Sequence, residues 1–129
     1  MSFVALLTDR YDAMVRFYGE RLGLPTTERW DRSCARGCRF DLGDGLRLEL
    51  LDNRREASPR ELGEPGDRVQ LVIEVADLDA AARSLDPPVP EPTPTSWGAR
   101  IFQVRDPDGV AVTLLQWTEP RTSRELAPP

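Results

Sequence analysis

Cys34 and Cys38 are the only thiols in a 129-residue chain that contains no histidine and whose 17 Lys and Arg positions are all arginine. These counts bound the chemistry. Without histidine the chain lacks the commonest general base and the commonest transition-metal ligand, and neither a Ser-His-Asp nor a Cys-His triad can be built. Without lysine there is no Schiff-base chemistry. A reactive cysteine needs a base or cation beside it, and only arginines are on offer. On a strand, Cys34 and Cys38 would share a face about 13 Å apart, too far for a disulfide unless the strand breaks at Gly37. Two half-buried, unreactive thiols are expected.

Net charge is −5, with 40% hydrophobic and 30% charged residues. This argues against a general nucleic-acid binder and favours attraction of a cationic ligand. The length suits one domain with a real core. No apolar run could span a membrane and no signal peptide precedes the first strand, so a cytoplasmic protein is expected.

The elements that would position a site read as follows. Residues 2–8 are an apolar run of strand length. Thr8 or Asp9 is placed to cap a helix through Leu22, with Met14, Phe17, Tyr18 and Leu22 on one face and Gly23 ending it. Residues 26–31, 34–42 and 46–51 read as strands, the last entered through Gly43-Asp44-Gly45. A polar linker spans 52–67. Residues 68–75 form the next strand, and Asp77 caps a helix through Leu85. Pro87, Pro88, Pro90, Pro92 and Pro94 leave room for one short edge strand. Residues 100–105 and 110–117 then flank the turn Asp106-Pro107-Asp108-Gly109, where Pro presets φ and Gly accepts positive φ. The polar tail from Thr118 is expected to fray.

The halves repeat. Leu7-Thr8-Asp9 matches Val75-Ala76-Asp77, and Asp44-Gly45-Leu46-Arg47-Leu48-Glu49-Leu50-Leu51 matches Asp108-Gly109-Val110-Ala111-Val112-Thr113-Leu114-Leu115. The pattern gives an α+β fold of two βαβββ modules, 1–51 and 68–117, joined by the 52–67 linker and followed by a flexible tail, 118–129.

Phe17-Tyr18 followed by Leu22-Gly23-Leu24, the Asp77-Leu78-Asp79-Ala80-Ala81 helix start, Trp97-Gly98 and Asp106-Pro107-Asp108-Gly109 together resemble the vicinal oxygen chelate superfamily of glyoxalases, extradiol dioxygenases and bleomycin-resistance proteins. The resemblance implies tandem modules whose curved mixed sheets wrap a ligand cavity, usually in a homodimer. It also implies where metal enzymes of the family take their ligands. The positions lie seven residues before the Asp opening each helix (Ser2 and Gln70), on the last strand of the first half (Glu49), and seven after the first Asp of the turn (Thr113). One carboxylate, one amide and two hydroxyls make a poor Zn, Ni or Fe site and a weak one for Mg²⁺ or Ca²⁺. No metal and no cofactor is therefore expected.

The leading functional expectation is capture of a small molecule, cationic or planar aromatic, as in the bleomycin-resistance branch. Trp30, Phe40, Trp97, Phe102 and Trp117 would supply flat surfaces, and Glu49 and Glu74 would hold a positive charge. By period-two counting the inward-facing candidates are Arg47, Glu49 and Leu51, then Gln70, Val72 and Glu74, then Ala111, Thr113 and Leu115. Each has a plainer alternative. The tryptophans could pack under loops or at an interface, and Arg47 and Glu49 could be structural charge pairs. Two other functions stay open: an enzyme of the same fold using Glu49 or Glu74 as a desolvated base or an oxygen-rich metal site, and an interaction module.

Overall fold

The computed structural model describes residues 1–85, 89 and 91–119. Two four-stranded sheets are formed, each with its first strand parallel to its last. The first contains β1 (Ser2–Thr8), β2 (Thr26–Arg32), β3 (Ala35–Gly43) and β4 (Leu46–Asp52), in the order β1-β4-β3-β2. The second contains β5 (Gln70–Glu74), β6 (Thr93–Pro94), β7 (Ala99–Arg105) and β8 (Ala111–Trp117), in the order β5-β8-β7-β6. Helix α1 (Tyr11–Val15) links β1 to β2 and α2 (Leu78–Arg83) links β5 to β6. Each half is thus one βαβββ unit, the crossover helix letting the outer strand lie parallel to its neighbour. The proline-rich stretch contributes the two-residue β6, while Pro87, Pro88 and Pro90 lie outside the described residues.

The helix side of each sheet carries its buried apolar side chains. Leu48 and Leu50 of β4, with Cys38 and Phe40 of β3, are fully buried against Met14, Phe17 and Tyr18. Leu71 and Ile73 of β5, Val112 and Leu114 of β8, and Phe102 of β7 do the same beside Leu78. These residues form one continuous cluster across both modules.

The first helix departs from its expected course. Its N-cap is Arg10 and not Thr8 or Asp9. Thr8 ends β1 with its hydroxyl accepting from the Arg10 amide at 2.9 Å, and Asp9 accepts from Asn53 Nδ2 at 2.8 Å. The α-helix stops at Val15 and continues as a π-helical turn over Arg16–Arg21, in which the Leu22 amide donates to the Phe17 carbonyl. The wider turn lets two adjacent aromatics, Phe17 and Tyr18, both face the core, 5.0 Å apart and edge to face. Helix α2 follows expectation: Asp77 caps it by accepting from the Ala80 amide at 3.0 Å.

The stretch 52–67 opens with a 3₁₀ turn, Asn53–Arg55. Buried Asn53 clasps the backbone of Arg60 in both directions, at 2.8 and 3.0 Å. At the other end, Thr118 and Glu119 donate to the Gly98 carbonyl, and residues 120–129 of the expected flexible tail lie outside the described residues. The cysteines differ from expectation: Cys34 sits exposed in the β2–β3 turn and Cys38 is wholly buried, with β3 continuous through Gly37. Burial pushes the Cys38 thiol up, so it stays protonated and inert.

Gly109 has φ +92° in the turn before β8. Gly109→Val puts a β-branched residue where that φ is strained, and a loss of about 2 kcal/mol of folding stability is expected. An unchanged urea midpoint would mean that the turn does not need a positive φ.

Candidate ligand-binding faces

Each sheet has a second face, turned away from its helix, and the register fixes its membership. In the first sheet Ala5, Glu49, Arg39 and Glu28 form one row across the four strands. Phe3, Arg47 and Asp41 form the row on one side, and Leu7, Leu51, Gly37 and Trp30 the row on the other.

Arg39 lies at the centre of this face. Its Nε donates to Glu49 Oε2 and its Nη1 to Glu28 Oε2, both at 2.7 Å. The guanidinium carbon sits 4.6 Å from the Phe3 ring centre and 5.2 Å from that of Trp30. These two carboxylates hold the arginine's protonation above its already high ordinary value. Trp30 can lie this low because its cross-strand partner is Gly37: a Cβ there would come within 2.5 Å of the indole Cζ2. Arg47 donates to Asp41 at 3.0 Å, and among the described residues its Nε has no hydrogen-bond partner.

The second sheet presents a counterpart centred on amides and a hydroxyl. Gln70, Val72 and Glu74 pair with Ala111, Thr113 and Leu115, which pair in turn with Arg105, Gln103 and Ile101. Thr113 Oγ1 donates to Gln70 Oε1 at 2.8 Å, and Gln103 Nε2 reaches both Gln70 Oε1 and Thr113 Oγ1 at 3.2 Å. Val72 is 54% exposed beside this amide–hydroxyl triad. Trp97 is 48% exposed and packs edge to face on Trp117, 5.4 Å away.

The residues singled out from sequence therefore divide. Glu49, Arg47 and Trp30 share the first face; Gln70, Glu74 and Thr113 share the second, with Trp97 and Trp117 packed together near the end of β8. Three are not brought to these faces. Phe102 pairs with Leu114 on the helix side and is only 5% exposed, and Phe40 is fully buried; both belong to the core. Ser2 pairs with Leu46, in the helix-side alternation of Leu48 and Leu50, and so points to the opposite side of the sheet from Glu49. Several members of the faces lie beyond those named from sequence, Phe3, Glu28, Arg39 and Gln103 among them. Phe3 is a residue away from the counted position. Arg39 and Gln103 become neighbours of Glu49 and Thr113 only through strand register.

The metal positions implied by resemblance can now be judged by their donors. Ser2 faces away, Glu49 is committed to Arg39, and Gln70 and Thr113 are bonded to each other. Among the described residues no three His, Cys, Asp or Glu side chains gather as a metal-binding group. The donor set does not fit a Zn, Ni or Fe centre.

Tandem βαβββ modules, each with a helix-covered face and a face dressed with polar and aromatic groups, define an α+β scaffold. The chain belongs to the Glyoxalase/Bleomycin resistance protein/Dioxygenase superfamily, whose family model matches residues 1–114. Similar solved structures include a glyoxalase/bleomycin resistance protein/dioxygenase from Nocardioides, 25% identical, TM-score 0.65, covering 98% of this chain and 88% of that one. An antibiotic binding protein from Streptomyces sp. CB03234, TnmS3, is 22% identical with TM-score 0.62, covering 89% and 93%. A lactoylglutathione lyase from Agrobacterium tumefaciens is 20% identical with TM-score 0.63, covering 90% and 92%. The last two likenesses are ones of fold. No curated protein sequence matches the chain.

Proposed function

We propose that this protein binds and sequesters a small molecule, an antibiotic or other natural product, in the manner of the bleomycin-resistance branch and without a catalytic metal. The observation that carries this reading is the state of the four positions used for metal by the family's enzymes. Counted from the Arg10 cap the first is Phe3, an apolar ring with no donor atom, and the other three are occupied with protein partners. What remains on the two faces is recognition chemistry: aromatic rings, paired charges, amides and a hydroxyl. The antibiotic binding protein among the structural neighbours is in keeping with it.

The partners are a small ligand, cationic or planar aromatic, and a second copy of the chain. Strands β1 and β5 each lie at a sheet edge, and exposed apolar residues gather on or beside them: Phe3, Val4 and Leu46 at the first, Val69 and Val72 at the second. Such edges favour pairing with another strand, and a homodimer would bring one chain's first face to the other's second. Among the described residues no helix is long and apolar enough to cross a membrane, and the proposed place of action is the cytoplasm.

Tryptophan fluorescence titrated with a panel of natural-product antibiotics tests the reading, with recovery of any bound drug unmodified. Silence across cationic and planar aromatic members, or chemically altered drug, would overturn it. Glu49→Gln is expected to weaken a cationic ligand about tenfold, in line with the ~1.5 kcal/mol carried by a hydrogen bond to a charged group. A fall in melting temperature with affinity unchanged would instead make Glu49 only a structural partner of Arg39.

A further inference from the structure

The first sheet's open face holds an arrangement that capture of a cationic ligand does not by itself explain. Every strand sends one or more groups to the same point: Phe3 from β1, Glu49 from β4, and Glu28 and Trp30 from β2. The object at that point is a planar, delocalised cation, the guanidinium of Arg39 on β3. Two carboxylates take its N–H edges at 2.7 Å, and two aromatic rings lie within 5.2 Å of its carbon. Carboxylates in the plane and ring faces above it are the complement that a flat cation requires. Nothing in sheet geometry demands such a set. Two carboxylates would neutralise Arg39 without aromatic neighbours, and Trp30 needs a glycine opposite it to be in place.

Resting on the reading of this face as ligand-binding, we infer that it is a planar-cation slot and that Arg39 is its built-in occupant. A ligand bearing a guanidinium, an amidinium or a protonated flat heterocycle takes the slot by displacing the Arg39 head group. The displaced side chain is tethered beside the slot and competes for it continuously. Apparent affinity is then the intrinsic affinity reduced by the fraction of molecules in which Arg39 is out. Arg39 thereby sets a threshold, so that weak planar cations are turned away and only a ligand with further contacts on the second face succeeds. Ammonium groups are poorer occupants because they cannot lie flat between rings while serving two carboxylates along separate N–H edges.

Removing the occupant tests the idea directly. Arg39→Ala should bind methylguanidinium and benzamidine at least tenfold more tightly than the unsubstituted protein, read as quenching of Trp30 emission in a Trp97→Phe, Trp117→Phe background. The same cations should raise its melting temperature. Methylammonium should do neither at equal concentration. If Arg39→Ala binds these cations no better than the unsubstituted protein, or takes methylammonium equally well, the inference is overturned. If the variant purifies unfolded, the readout becomes recovery of its near- and far-ultraviolet dichroism by millimolar methylguanidinium. Recovery by it and not by methylammonium supports the slot, and failure to recover with it overturns the slot. Sequestration fails separately, on the antibiotic panel with the unsubstituted protein.

Discussion

Asp106→Ala is expected to lower folding stability by about 3 kcal/mol, seen as a shift of the urea midpoint with the slope unchanged. The carboxylate is 5% exposed and serves three donors at once. One oxygen accepts from the amides of Asp108 and Val110, both at 2.9 Å, and the other accepts from the Tyr18 hydroxyl at 2.7 Å. Truncation leaves the Tyr18 hydroxyl and the Val110 amide without their partner inside the protein, and each stranded group costs about 1 kcal/mol or more. The loss should exceed that of any single surface substitution, because Tyr18 belongs to the first module and Asp106 to the second.

The same residue should leave a mark on the pH profile. Burial, partly offset by the Tyr18 and backbone hydrogen bonds, raises the Asp106 carboxyl above its ordinary range, while Tyr18 is pushed up by burial and by the adjacent carboxylate. A group whose folded-state value is raised contributes stability in its protonated form. That contribution is complete below the unfolded carboxylate value of about 3.9 and is lost as pH rises through the folded value. Asp106→Asn keeps an acceptor and removes the titration. The stability difference between the unsubstituted protein and this variant should therefore favour the unsubstituted protein most at acid pH and shrink as pH climbs out of the carboxylate range. A difference that is flat with pH would mean that Asp106 does not titrate abnormally.

The second large effect is expected of Gly37→Ala. A Cβ at this position would stand 2.7 Å from the Leu50 carbonyl oxygen as well as 2.5 Å from Trp30. The carbonyl belongs to the neighbouring strand and cannot step aside alone, so a stability loss of about 2 kcal/mol is expected from overpacking. The indole can move, and its departure would remove one wall around Arg39. The variant should show altered Trp30 emission together with the lower melting temperature. Normal stability with normal emission would mean that Trp30 does not rest on Gly37.

Much of this architecture is legible in the residues. The Gly-led hairpin strands, the Asp77 cap and the strand alternations are local, and local chemistry decides them. The places where reading from sequence fails share a cause. Counting seven back from Asp77 reaches Gln70, on the face of Thr113, because Asp77 is the cap of α2. The same count from Asp9 reaches Ser2 and the wrong side of the sheet, because α1 is capped one residue later, at Arg10. Counted from Arg10 the position is Phe3, which does lie on the Glu49 side. One residue of slip reverses a strand's faces. The π turn was likewise hidden, since Phe17 and Tyr18 satisfy a 3.6-residue period only approximately. Phe102 resembles the other aromatics in type, and only its pairing with Leu114 places it on the core side, since apolar Ile101 beside it leaves the local alternation ambiguous. Arg39 and Gln103 were beyond reach because they meet their partners through cross-strand register, which includes an irregularity between Asp41 and Gly43 that no local pattern announces.

The apolar cluster that runs without interruption from Met14 and Phe40 to Ile73 and Leu114 bears on how the two halves depend on each other. A doubled sequence suggests two interchangeable units, yet the two helix sides share one cluster, so cutting the chain within 52–67 would bare apolar surface on both halves. Covalent linkage through that segment keeps the two halves at a high effective concentration for each other. The copies differ in what their other faces carry: charge and rings around Arg39 on one, amides around Thr113 on the other.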